Sequence, residues 1–92
     1  MTAQTTTWPE GVVARYLTVG GATVDITYTP SEDLRARCQG ARCQWTSGAT
    51  TEVSYGDSDE TIVQRIDAAL PPLQWDAQAH AEMCRAMPRP AA

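Results

Sequence analysis

Three cysteines and one histidine are all that this 92-residue chain contains of either type, and all four fall in two short stretches. The first is Cys38-Gln39-Gly40-Ala41-Arg42-Cys43, and the second is His80-Ala81-Glu82-Met83-Cys84. Soft sulfur ligands and an imidazole gathered in this way predict one tetrahedral Cys3His site. Its ligands would be Cys38, Cys43, His80 and Cys84, with one structural Zn2+ as the ion. Oxygen-seeking Mg2+ and Ca2+ suit such a set poorly. Three other readings of the same residues are open: a Cys38–Cys43 disulfide with Cys84 free, inert buried thiols, and an iron–sulfur cluster.

The spacing places these ligands on definite elements. On a helix, residues i and i+4 share a face, so His80 and Cys84 can reach one ion from a C-terminal helix. The four residues between Cys38 and Cys43 make a tight loop around Gly40. Thirty-six residues separate Cys43 from His80, against about twelve in a two-Cys two-His finger. The arrangement is therefore an enlarged finger holding further strand and helix. Four protein ligands close the coordination shell, which marks a structural rather than a catalytic ion.

A chain this short makes one domain with a modest core, and a metal adds stability that such a core lacks. There is no Phe. Residues 1–10 read as a loose, Thr-rich N-terminal arm, 11–88 as a single zinc-binding domain, and 89–92 as a tail. Val12–Val19 and Ala22–Thr29 read as strands joined by a two-residue Gly20-Gly21 turn. In the second strand Val24, Ile26 and Tyr28 alternate with Asp25, Thr27 and Thr29, the pattern of a sheet covered on one face. Further strands are expected at Leu34–Cys38, Cys43–Thr46 and Thr51–Tyr55, with a turn at Ser47-Gly48 and Trp45 packed inward.

Asp57 or Ser58 then caps a helix carrying Ile62, Val63, Ile66 and Leu70. Pro71-Pro72 breaks or kinks it, and a second helix begins there. That helix bears the stripe Leu73, Ala77, His80, Cys84 and Met87 and ends at Pro88 and Pro90. The fold class that follows is α+β: a small antiparallel β-sheet packed against one or two C-terminal helices and stapled by zinc.

The net charge is −4, and all seven basic residues are Arg. An acidic chain does not bind polyanions indiscriminately. Arg35, Arg37 and Arg42 flank the cysteine loop, and Arg85 and Arg89 follow Cys84. If the metal site forms, these arginines lie near it. Arg35, Arg37, Arg42 and Arg85 are then candidates for binding an anion or an acidic partner, against the plainer reading of surface charge that offsets the anionic centre. No window is apolar enough to span a membrane, and Met1 to Thr7 lacks the regions of a signal peptide, which predicts a cytoplasmic protein with reduced thiols. No Ser/His/Asp set, phosphate-cradling glycine loop or nucleotide fingerprint is present, so an enzyme is not expected. The expected role is a non-enzymatic interaction or regulatory module with a protein partner. The alternative is a sequence-specific DNA-binding finger, with a helix in the major groove.

The segment Tyr16 to Asp25, the cysteine loop at Cys38 and Cys43, and the tail from His80 to Pro90 resemble a group of small actinobacterial zinc-finger-like proteins. These occur in Streptomyces-type genomes, often with integrative or plasmid-like mobile elements, and have no assigned role. The resemblance is most specific at the His-x3-Cys tail. The loop departs from the C-x2-C knuckle by having four intervening residues. The resemblance implies a zinc site and an actinobacterial source, and it brings no activity with it.

Overall fold

A computed structural model of the chain describes residues 8–88. Residues 1–7 of the expected arm and the expected tail 89–92, with Arg89 and Pro90, lie outside that range. The described residues form a four-stranded antiparallel sheet followed by one long helix, an α+β fold. The strands are β1 (Val12–Leu17), β2 (Thr23–Thr29), β3 (Asp33–Cys38) and β4 (Thr46–Ala49), in the order β1-β2-β3-β4. The helix α1 (Asp59–Ala81) covers one face of the sheet.

Alternation decides which residues meet α1. Val24 and Ile26 of β2, and Leu34, Ala36 and Cys38 of β3, point toward the helix and are buried. Leu73, Ala77 and Ala81 recur every four residues on α1 and close the core from the other side. The largest side chains removed from water are Ile26, Leu34, Leu73 and Val24. This is a thin core, filled by small residues where the helix approaches the sheet.

The opposite face of the sheet is polar. Asp25 sits there almost fully buried, and the Arg15 guanidinium donates to both its oxygens at 2.8 and 2.9 Å across the β1–β2 pair. Sequence reading missed this pair. Its signal was present in two charged residues at facing positions of neighbouring strands.

Several expected elements differ. β1 ends at Leu17 and β2 begins at Thr23, so the connection is a five-residue loop and not a two-residue turn. The Thr18 N–H donates to the Ala22 carbonyl and its hydroxyl accepts from Ala22 N–H, both at 2.9 Å. Gly21 takes φ +93°, while Gly20 serves close approach: a Cβ there would collide with the Ala86 carbonyl.

The fourth strand lies at Thr46–Ala49, not Cys43–Thr46, because Cys43 to Trp45 are spent leaving the loop. Ser47-Gly48 is therefore strand, not turn. A Cβ on Gly48 would press on the Leu34 carbonyl at 3.2 Å, so glycine suits this tight pairing.

No fifth strand forms over 51–55 among the described residues. Glu52 takes φ +62°, which breaks an extended run. Thr51 instead donates to the Asp33 carboxylate, from its N–H at 3.1 and 3.2 Å and from its hydroxyl at 2.6 Å. Tyr55 is fully exposed.

Ser58 caps α1, its hydroxyl accepting from Thr61 N–H, with Asp59 and Glu60 in the first turn. The helix runs through Pro71-Pro72 without a break, so there is one helix and not two. The prolines leave the carbonyls four residues back, at Asp67 and Ala68, without helical donors. All four of these residues are exposed, so water can take the lost bonds. Val63 and Met87 of the expected apolar stripes are also exposed.

Candidate metal centre

The site is assembled where three loops converge on the end of α1. β3 delivers Cys38 from the core face of the sheet. The following turn, 39–42, folds back through Cys43 N–H to the Gly40 carbonyl at 3.1 Å and returns Cys43 to the same place. Arg42 takes φ +64° at the tip of this turn. Gly40 N–H donates to Cys38 Sγ at 3.4 Å. Amide donors of this kind favour the thiolate.

The other two candidate ligands come from the helix end. His80 lies in the last turn of α1, whereas Cys84 lies beyond it. The expectation of one helical face carrying both is corrected accordingly. α1 stops at Ala81, but Cys84 N–H still donates to the His80 carbonyl at 2.9 Å, so the four-residue spacing survives past the helix.

The exit strand is held from both sides. Val19 N–H donates to the Ala81 carbonyl and Gly20 N–H to the Cys84 carbonyl, both at 3.0 Å. These β1–β2 loop amides satisfy carbonyls at the end of α1 and just past it. On the far side Ala41 N–H donates to the Met87 carbonyl at 2.7 Å, and Gly40 bridges to Pro88.

The result brings the four expected ligand residues together. The sulfurs of Cys38 and Cys84 lie 3.7 Å apart, those of Cys84 and Cys43 3.8 Å, and Cys43 Sγ lies 3.4 Å from His80 Nε2. One ligand atom from each of Cys38, Cys43, His80 and Cys84 falls within 4.8 Å of every other, so the group can hold one metal ion. All three cysteines are free thiols here, without a Cys38–Cys43 disulfide. Trp45 stacks on His80 with ring centroids 4.6 Å apart and planes 11° from parallel, which sets the imidazole's orientation.

The protein environment alone does not favour a set of thiolates. Burial pushes the Cys38 thiol up to about 11, even against the Gly40 amide. Cys43 is lowered, first by the Trp45 backbone amide. Burial lowers His80 and so favours the neutral ring, whose lone pair a metal needs. A dication supplies the compensation that buried thiolates require.

The candidate arginines divide. Arg35 and Arg37 alternate with the core residues of β3 and stand exposed on the sheet face opposite Cys38. Arg37 reaches Glu32 at 3.4 Å. Arg42 and Arg85 are exposed beside the ligands Cys43 and Cys84. Among the described residues no helix is long and apolar enough to cross a membrane. Comparison with protein-family models, curated proteins and solved structures finds no match to this chain.

Proposed function

We propose that this chain is a non-enzymatic interaction or regulatory module whose fold is completed by one structural Zn2+ on Cys38, Cys43, His80 and Cys84. The observation that carries the reading is the convergence of these four ligand atoms within 4.8 Å. Zn–S bonds of about 2.3 Å imply sulfur–sulfur edges of about 3.8 Å in a tetrahedron. The 3.7 and 3.8 Å separations match that edge. Three thiolates and an imidazole suit zinc, and four protein ligands leave no position for substrate, which supports a structural role over a catalytic one.

The ion would tie the 39–42 turn to the end of α1. Free thiols at Cys38, Cys43 and Cys84 accord with a cytoplasmic setting. The resemblance of the His-x3-Cys tail supports the same ion and an actinobacterial, mobile-element source.

Binding of DNA through α1 is the weaker reading. The helix carries Asp59, Glu60, Asp67 and Asp76 against Arg65. An acidic helix is repelled by phosphate. Arg35 and Arg37 on the outer sheet face, with Arg42 and Arg85 at the turn, are the surfaces on which an acidic partner would dock.

The test is elemental analysis of the purified chain with thermal melting before and after chelation. One zinc per chain, and a lower melting temperature on its removal, is the expected result. A metal-free chain that melts identically in chelator overturns the reading.

A further inference from the structure

β4 is an edge strand, and its open side borders a groove against the last turns of α1. The groove holds about 360 Å³ and is lined by Trp45, Thr46 and Ser47 on one side and Asp76, Ala79, His80 and Met83 on the other. Cys38 N–H donates to the Trp45 carbonyl at 3.2 Å. In an antiparallel ladder bonded pairs alternate, so Ser47 and Ala49 turn toward β3, while Thr46 and Gly48 present N–H and C=O outward.

Natural edges are blunted by short strands, charges, prolines, bulges or a covering element. β1 at the opposite edge has a bulge between Val12 and Ala14 and carries Arg15. β4, Thr-Ser-Gly-Ala, is short, but it carries no charge, proline or bulge. The α1 side of the groove is open to water and sets Ala79 and Met83, the latter 72% exposed, beside Asp76 and His80.

We propose that this edge takes an extended segment of a partner protein by strand addition, with a basic side chain between two apolar ones facing α1. Charge selects the occupant. Asp76 is the one formally charged side chain lining the groove, and Ser47 Oγ donates to it at 3.5 Å. The inference rests on the zinc reading for one further term, the net −1 of a Zn2+ held by three thiolates. Arg42 and Arg85 do not line the groove. A second copy paired β4 to β4 would bring two Asp76 residues and two anionic centres together, which disfavours self-association at this edge.

Three fluorescein-labelled peptides test it by anisotropy on protein shown to carry one zinc per chain, so that failure here is separable from failure of the metal assignment. They are TVTKTVT, its glutamate twin TVTETVT, and the lysine peptide N-methylated at alternate backbone amides. The expected result is that the lysine peptide binds about tenfold more tightly than the glutamate twin, that N-methylation abolishes binding, and that Asp76→Lys reverses the ranking. Equal affinity for both charges, or binding indifferent to N-methylation, overturns the proposal. So does a dimer in sedimentation velocity that the peptide does not dissociate, since the edge is then held by a second copy.

Discussion

Zinc should control the melting temperature through Cys84 in particular. Cys84 Sγ lies 3.7 Å from Cys38 Sγ and 3.8 Å from Cys43 Sγ, and it belongs to the segment past α1. An ion that binds only the folded chain stabilises it by RT ln(1 + [L]/Kd), about 2.7 kcal/mol at a free concentration one hundred times Kd. For a domain of this size 1 kcal/mol is worth about 4–8 °C, so the shift between chelator and buffered zinc is about 10–20 °C. Cys84→Ser nearly preserves volume and removes the soft ligand, so packing is little changed. Its melting temperature should lie near that of the chelated parent and move by less than about a quarter of the parent's shift when zinc is added. Differential scanning calorimetry in zinc buffers of known free concentration reads both. A parent that melts at one temperature across the zinc series, or a Cys84→Ser chain that retains the full shift, refutes the four-ligand argument.

Three other perturbations probe the scaffold. Gly20→Ala drives a Cβ into the Ala86 carbonyl and should cost about 1–3 kcal/mol in urea unfolding, because backbone on both sides must give way. Asp33→Ala removes the acceptor of three Thr51 hydrogen bonds at a position with φ +64°, and should lower stability by about 1–3 kcal/mol by the same measurement. The metal-free chain should lose stability as pH rises from 9.0 to about 11. In that window the folded Cys38 keeps a proton that the unfolded chain has released, so unfolding releases a proton and alkali favours the unfolded state. The zinc-loaded chain, its thiolates already deprotonated on the ion, should lack this loss; equal alkaline slopes with and without zinc would contradict it.

Much of the site could be read from composition and spacing. With one histidine and three cysteines, in two clusters, few other groupings are available to a soft metal. The alternation of Val24, Ile26 and Leu34 with polar neighbours likewise exposed the sheet's buried face, and Asp57 or Ser58, with the acidic residues after them, marked the helix start. These are local signals, in which the residue and its immediate neighbours carry the physics. Local signals misled where a distant group intervened. Pro71-Pro72 looks like a break, but the helix passes through because the orphaned carbonyls face water and Leu73 and Ala77 are held against the sheet. Thr51 to Tyr55 looks like a strand, but Asp33 takes Thr51's donors.

What the sequence determined alone is thus the candidate ligand set, the sheet-then-helix order and the polarity of each face, because these depend on residue type and period. What tertiary structure decided is how the ligands meet. Cys84 reaches the cluster from beyond the helix because loop amides of Val19, Gly20 and Ala41 hold the exit chain in place. Arg35 and Arg37 fall on the opposite face from Cys38 because β3 alternates. Both outcomes depend on backbone groups far apart in the chain, which no residue pattern records.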